Sequence, residues 1–255
     1  MSIRKVLIIG KTSLLSKCFK SKTSLKSVNY VSHKNIDKIK FKKYTHIINF
    51  CIDPNIYKTD YNFTNKIDLK ICKKINKFNS IYIFPSSRLV YSKSKNNIYG
   101  INKRKIEKDI TQTKKNFLIL RIANILTYDI SSRNLFISRM LRSLKKDTLI
   151  KLDISKNTYK DFITSDLFVK ILDEMIKNNI VGKFNLSSNI RIKVIEIINQ
   201  IINGYGKGKI KMMKKIKKNE SFLLKNNKLK KVIKFKTSKK EILQYCFNLG
   251  KKLNA

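Results

Sequence analysis

Val6-Leu7-Ile8-Ile9-Gly10-Lys11-Thr12-Ser13-Leu14-Leu15-Ser16 starts with four consecutive apolar residues, breaks at a glycine, and resumes with Leu14, Leu15, Cys18 and Phe19 spaced along one helix face. A short unbroken apolar run is the pattern of a strand buried on both sides, and the glycine marks the turn into the helix. Ile3–Ile9 is therefore expected as a strand and Leu14–Lys22 as a helix. The alternation continues downstream. Val28–Ser32, His46–Ile52, Ile81–Phe84 and Phe117–Ile122 read as strands, with Phe63–Asn76 and Tyr99–Asp109 as helices between them. Strands separated by helices become parallel through right-handed crossovers, which makes a doubly wound α/β sheet. Such sheets bind ligands at the carboxyl ends of their strands, where strand order reverses, so useful residues should follow strands.

Beyond residue 125 the pattern loosens. Leu135–Leu144, Asp166–Lys177 and Lys193–Asn203 read as helices, and Lys239–Leu253 closes the chain as another. The stretch Gly204–Lys240, with Lys214-Lys215, Lys217-Lys218 and Glu220 as its only acid, reads as an irregular, solvated basic segment. Residues 1–125 are expected to form the main α/β core, with 158–188 returning to it; 126–157 and 189–255 are expected to form a smaller lobe.

The chain has 255 residues, 58 Lys+Arg against 16 Asp+Glu, a formal net charge of +42, and 42 % hydrophobic residues. That much apolar content can build a core, which excludes wholesale disorder. No apolar run approaches the roughly 18 residues a membrane span needs, and the run at Val6–Ile9 is too short for a signal-peptide core. A cytoplasmic protein without membrane association is expected. Cys18, Cys51, Cys72 and Cys246 lie far apart, and only His33 and His46 accompany them, which argues against a zinc site or a disulfide framework. The charge is mostly lysine: 8 residues are Arg, beside 40 Ile, 26 Asn and 2 Ala. Enrichment in residues with AT-rich codons accounts for that bias without any ligand. A polyanion-binding surface is the rival explanation, but base-reading proteins rely on Arg and on stacking aromatics, and these lysines are scattered through every segment. No specific nucleic-acid partner is expected.

Two stretches carry chemistry. In Gly10-Lys11-Thr12-Ser13-Leu14-Leu15-Ser16 the first glycine permits a tight turn onto a helix N-terminus, the usual seat of a pyrophosphate; Ser13 and Ser16 stand where further glycines would be, and Lys11 adds a cation. A strand–glycine–helix turn also occurs in α/β proteins of many kinds. Val28–Ser32 ends in Ser32-His33-Lys34 without a carboxylate, which leans away from NAD and towards NADP, although these are also ordinary loop residues. The second stretch is Ile81-Tyr82-Ile83-Phe84-Pro85-Ser86-Ser87-Arg88-Leu89-Val90-Tyr91, followed by Tyr99-Gly100-Ile101-Asn102-Lys103. Residues i and i+4 share a helix face, so the Lys103 ammonium lies beside the Tyr99 phenol and should lower its pKa. Chance matches to Tyr-x-x-x-Lys are common in so lysine-rich a chain, and order along the chain is what gives these pieces weight. They continue into Leu120-Arg121-Ile122-Ala123-Asn124, Asp161–Asp166, Gly182-Lys183-Phe184-Asn185-Leu186 and Asn227-Lys228-Leu229.

This ordered set resembles the extended short-chain dehydrogenase/reductase family, the epimerase/dehydratase group that acts on nucleotide-linked sugars. The resemblance runs from Ile3 to about Leu253 and implies a Rossmann-type doubly wound sheet with a smaller C-terminal substrate-binding lobe. It also implies NAD or NADP as cofactor and a homodimer paired through Phe63–Asn76 and Tyr99–Asp109. By the same resemblance Tyr99 is the catalytic acid/base, Lys103 its partner and a binder of the nicotinamide ribose, and Ser87 the group that holds the reacting oxygen, with Ser86 as the alternative register. Gly10, Lys11, Ser13, Leu14 and Leu15 match the cofactor loop, Ser32 and His33 follow the second strand, Asn49 and Cys51 lie where a later strand passes the cofactor, and Asn124 meets substrate. Arg88 and Leu89 stand where a dehydratase of this family carries an acidic pair, which leaves epimerase or 4-keto-reductase. The Ser87–Tyr99 interval is short and polar, implying an open pocket, and Val28–His46 has little room for a full helix–strand unit.

Overall fold

The computed structural model describes residues 4–61, 67–131, 135–213 and 221–254. In chain order its strands and helices are β1 (Val6–Ile9), α1 (Leu14–Lys22), β2 (Val28–Val31), β3 (His46–Asn49), α2 (Ile67–Ile75), β4 (Ile81–Ser87), α3 (Ile98–Thr113) and β5 (Phe117–Ile122). There follow β6 (Asn124–Leu126), α4 (Phe136–Lys145), β7 (Ile150–Leu152), β8 (Tyr159–Lys160), β9 (Phe162–Thr164), α5 (Ser165–Lys177) and β10 (Gly182–Leu186). The last elements are β11 (Ile192–Lys193), α6 (Val194–Tyr205), β12 (Ile210–Met212), α7 (Asn227–Val232) and α8 (Lys239–Asn254). They form two compact units: Met1–Ile122 with Val169–Leu186 and Asn227–Lys234, and Ala123–Phe168 with Ser187–Asn226 and Phe235–Ala255.

The first unit is built on a six-stranded sheet in the order β10-β5-β4-β3-β1-β2, with every pairing parallel. All four residues of β1 are buried, as a strand covered on both faces requires. Side chains alternate across the sheet, so Leu7, Ile9, Ile47, Tyr82, Phe84 and Ile119 gather with Ile71 and Ile75 of α2 and Ile106 and Ile110 of α3 in one core. Val6, Ile8, Ile48, Ile83 and Leu118 are left for the opposite face, and all are fully buried. On that side Asp173 of α5 accepts from the Thr23 hydroxyl (2.7 Å) and the Ser24 amide (2.6 Å), tying α5 to the end of α1.

The chain runs outward from β1 to β2 and then returns across β1 to β3. The order therefore reverses between β1 and β3, where Ile9 lies level with Asn49. Two short 3-10 turns, His33–Lys38 and Phe41–Lys43, make the return, and among the described residues no strand lies beyond β2. The short Val28–His46 interval is the reason. β3 also stops at Asn49, before the expected Ile52, because the chain turns away at Cys51 and leaves Ile52 exposed. The expected helix start at Phe63 lies outside the described residues.

The second unit packs α4, α6 and α8 around Leu141, Leu144, Ile197, Ile201, Ile242, Cys246 and Leu249. Three two-stranded pieces flank this core: β6 with β9, β8 with β11, and β7 with β12. The described parts of Gly204–Lys240 are more ordered than the sequence led us to expect. Ile210–Met212 pairs with Ile150–Leu152, and Asn227–Val232 is a helix of the first unit with Leu229 fully buried. Leu224, Leu229 and Ile233 are the anchors, too sparse among lysines to show as a period. The clusters Lys214-Lys215 and Lys217-Lys218 and Glu220 lie outside the described residues. No helix among the described residues is long and apolar enough to cross a membrane.

Candidate active site

Gly10 takes φ +93°, a left-handed conformation that costs a residue with a Cβ. A Cβ there would also lie 2.7 Å from Cys51 Sγ and 2.9 Å from the Cys51 backbone nitrogen, so the turn passes directly against the end of β3. Ser13 then caps α1, its Oγ accepting from the Ser16 amide at 3.1 Å while its own proton stays available to donate. The next helical amides, Leu14 and Leu15, have no carbonyl one turn back, which leaves a positive, donor-rich end. Lys11 is exposed beside it. Ser16 does not share this role: it is fully buried under the helix, and its hydroxyl has no protein partner.

Asn49 is buried at the end of β3. Its Nδ2 donates to Asp68 at 2.7 Å, and its Oδ1 accepts from the Cys51 amide at 3.0 Å, so the side chain braces the switch-point floor. Cys51 is half-buried, and burial with the nearby Asp68 charge pushes its thiol up to about 11, so it stays protonated. Ser32 caps the 3-10 turn after β2, accepting from the Lys34 amide at 3.3 Å, and His33 is exposed. Among the described residues no cluster of His, Cys, Asp and Glu is fit to hold a metal ion.

Ser87 ends β4 and caps the following turn, Arg88–Tyr91, with its Oγ accepting from the Leu89 amide at 3.2 Å. Asn97 caps α3 and also donates to the Leu89 carbonyl at 2.7 Å. Gly100 closes this junction, since a Cβ there would strike the Leu89 carbonyl. The start of α3 is thereby held against the turn that Ser87 starts. The register alternative Ser86 points elsewhere: it is buried and donates to Glu107 Oε1 at 2.5 Å.

Lys103 is only 3 % exposed. Its Nζ donates to the Pro85 carbonyl at 3.0 Å and lies 4.2 Å from the Phe84 ring centroid and 5.8 Å from that of Tyr99. Burial draws its pKa down to about 8, against the raising pull of Asp68 and Glu107. The helix spacing thus delivers the ammonium to the phenol as expected. The expected drop in the Tyr99 pKa does not follow, however: burial, then Tyr57, push it well above its ordinary value. Tyr57 stacks on Tyr99 at 5.0 Å between centroids and 16° between planes.

Several residues here escaped sequence reasoning. Glu107 is buried on α3, and Arg121 reaches it with Nε (3.1 Å to each oxygen) and Nη2 (2.6 Å). Arg121 Nη1 donates to Tyr91 Oη at 2.6 Å, and Tyr91 donates to Asn185 at 2.8 Å, joining α3 to the ends of β5 and β10. Asp68 and Asn102 are buried acceptor and donor on α2 and α3. Only their helical spacing onto an inward face signalled them. Asn124 belongs to the second unit, where its Nδ2 donates to the Asp161 carbonyl at 3.2 Å.

No protein-family model matches the chain, and no curated protein sequence matches it. Solved structures do. The UDP-N-acetylglucosamine 4-epimerase of Methanobrevibacter ruminantium, complexed with UDP-N-acetylmuramic acid, superposes with a TM-score of 0.79 at 13 % identity, covering 99 % of each chain. RMD from Pseudomonas aeruginosa, complexed with NADPH, gives 0.78 at 12 % identity over 98 % of this chain and 99 % of its own. The UDP-glucuronic acid 4-epimerase of Bacillus cereus, with UDP-glucuronic acid and NAD, gives 0.75 at 13 % identity over the same shares. The chain has the Rossmann-type fold of these proteins along essentially its whole length.

Proposed function

We propose that the protein is an extended short-chain dehydrogenase/reductase that moves hydride at a carbon of a nucleotide-linked sugar, as an epimerase or 4-keto-reductase. The observation that carries this is the Lys103 ammonium on the Pro85 carbonyl of β4 and 5.8 Å from the Tyr99 ring, in the sheet whose switch point carries the Gly10 turn. The whole-chain likeness to sugar-nucleotide epimerases supports it.

The Gly10 turn fits a dinucleotide. The left-handed Gly10 brings the turn onto the start of α1, where the amides of Leu14 and Leu15 with the Ser13 hydroxyl offer donors to a pyrophosphate. Lys11 adds charge at the rim. A bound nicotinamide dinucleotide supplies hydride exchange with the sugar carbon. Tyr99, which burial keeps protonated, gives its proton to the keto oxygen as hydride reaches that carbon and takes it back in the reverse step, while Ser87 donates to the same oxygen. Lys103 holds positive charge beside the phenol and stabilises its ionised form when the proton leaves. Ser32 and His33 place no carboxylate after β2, which favours the 2′-phosphate of NADP.

Tyr99→Phe is expected to abolish turnover of UDP-sugars while leaving the melting temperature and dinucleotide retention intact. Undiminished turnover in that variant would remove the assignment. A binding protein that has lost turnover is the second reading, favoured by Ser at positions 13 and 16 and by the short Ser87–Tyr99 interval. It would retain dinucleotide and convert no member of a broad sugar-nucleotide panel.

A further inference from the structure

Tyr57 sits at the end of the short turn Pro54–Tyr57 that follows β3, and it is 60 % exposed. An exposed aromatic at a loop tip ordinarily turns freely, but this one is held from three directions. Asp53 caps the turn, its carboxylate accepting from the Asn55 amide at 2.9 Å. The buried amide of Asn102 donates to the Ile56 carbonyl at 2.9 Å and to the Lys58 carbonyl at 3.0 Å, the two carbonyls on either side of Tyr57. The ring itself lies nearly parallel on Tyr99. Asn102 stands between Tyr99 and Lys103 on α3, so the turn is tied to the same helix that carries the phenol it covers.

Tyr99 is the second residue of that helix, in the first turn, where the fewest backbone bonds restrain it. Proton transfer needs its oxygen in one place, and two side-chain torsions separate that oxygen from the backbone. Lys103 Nζ lies 5.8 Å from the ring centroid, too far to fix its plane. The Tyr57 ring does fix the plane. Resting on the reading of Tyr99 as the acid/base, we infer that Tyr57 is a positioning residue: stacked on Tyr99 and anchored by Asn102, it sets the phenol's direction without touching the reacting atoms. Its cover also withdraws Tyr99 from water, in line with the raised pKa of that phenol.

The test uses the wild type, Tyr57→Phe, Tyr57→Ala, Tyr99→Phe and the Tyr57→Ala/Tyr99→Phe double variant, each with its melting temperature. UDP-N-acetylglucosamine, UDP-glucose and UDP-glucuronic acid are supplied with NAD and, separately, with NADP, and near-ultraviolet circular dichroism is recorded alongside. Tyr57→Phe, which keeps the ring, should retain kcat within about twofold; Tyr57→Ala should lower it about tenfold with KM changed by less than about twofold. The double variant should be no slower than Tyr99→Phe alone. A wild-type kcat in Tyr57→Ala overturns the proposal, as does a raised KM with kcat intact, which would make Tyr57 a substrate contact. The aromatic dichroism of the stacked pair should change in Tyr57→Ala; an unchanged band in Tyr57→Ala also overturns the proposal, and with a protein inactive on all three sugars this readout alone decides. Wild-type turnover in Tyr99→Phe sinks the acid/base reading instead, a result separable from a failed Tyr57→Ala.

Discussion

Two residues show how far a local pattern goes. Gly10 was legible because a glycine after a buried apolar run has few other uses, and its φ of +93° with Cys51 close by supplies the reason. Gly10→Ala is expected to cost about 1–3 kcal/mol in urea denaturation and to abolish retention of NAD(H) or NADP(H). Adding Cys51→Ala should not restore either, because the Cys51 backbone nitrogen stays 2.9 Å from the new Cβ. Lys103 was legible as the partner of Tyr99 but not as a buried cation. Its folded pKa of about 8 lies below the ordinary 10.5, so burying the ammonium opposes folding below pH 8, and that cost lifts as pH rises from about 8 to about 10.5. Relative to Lys103→Met, the wild type should gain up to about 3 kcal/mol of stability across that window, compared by urea denaturation at its two ends. In the folded protein the ammonium itself is lost as pH rises through about 8.

At the scale of elements, hydrophobic period set the strands and helices of the first unit closely. Leu14–Lys22 and Phe117–Ile122 occupy the residues their spacing gives. It did less well where order comes from buried polar groups between distant segments. Asp161, fully buried between β8 and β9, accepts from the Ser188 amide (3.1 Å) and hydroxyl (2.8 Å), the Asn189 amide (3.1 Å) and the Leu224 amide (3.2 Å). It thus gathers three stretches of the second unit that are far apart in sequence. Burial still raises its pKa to about 6, because the donors only partly replace water. Asp161→Ala would leave three backbone amides without an acceptor, and about 3–5 kcal/mol of destabilisation is expected in chemical denaturation. The order at Leu224 is part of why the described residues from 221 to 240 are not the loose basic segment that their composition implies.

Across the whole molecule the net charge of +42 is the dominant fact. The outward residues of α2 and α3, the helices expected to pair two copies, include Lys70, Lys73, Arg104, Lys105 and Lys108. Lys70 and Lys74 share the carboxylate of the exposed Asp37. Pairing of two such faces is opposed by like charge and eased by screening, whose length shrinks from about 10 Å at 0.1 M to about 3 Å at 1 M salt. Self-association measured by sedimentation should therefore increase with salt. Retention on DNA or RNA should do the opposite and vanish by roughly 0.2–0.5 M salt without preference for any sequence. Salt-resistant, sequence-selective retention would point to a nucleic-acid function. A screened, acid-poor surface also draws in anionic dinucleotides and sugar nucleotides, so part of the charge can serve the proposed site.

The sequence by itself determined the alternation of strands and helices, the Gly10 turn, and the placing of Tyr99 and Lys103 on one helix face, because each follows from spacing within a dozen residues. Tertiary structure alone decided how the two neighbouring hydroxyls are used: Ser87 caps the turn after β4, while Ser86 is committed to Glu107. It also decided that Tyr99 lies under Tyr57 with a raised pKa in spite of its lysine, because burial and stacking depend on a loop some forty residues away. Desolvation is a property of the packed molecule, and no local pattern carries it.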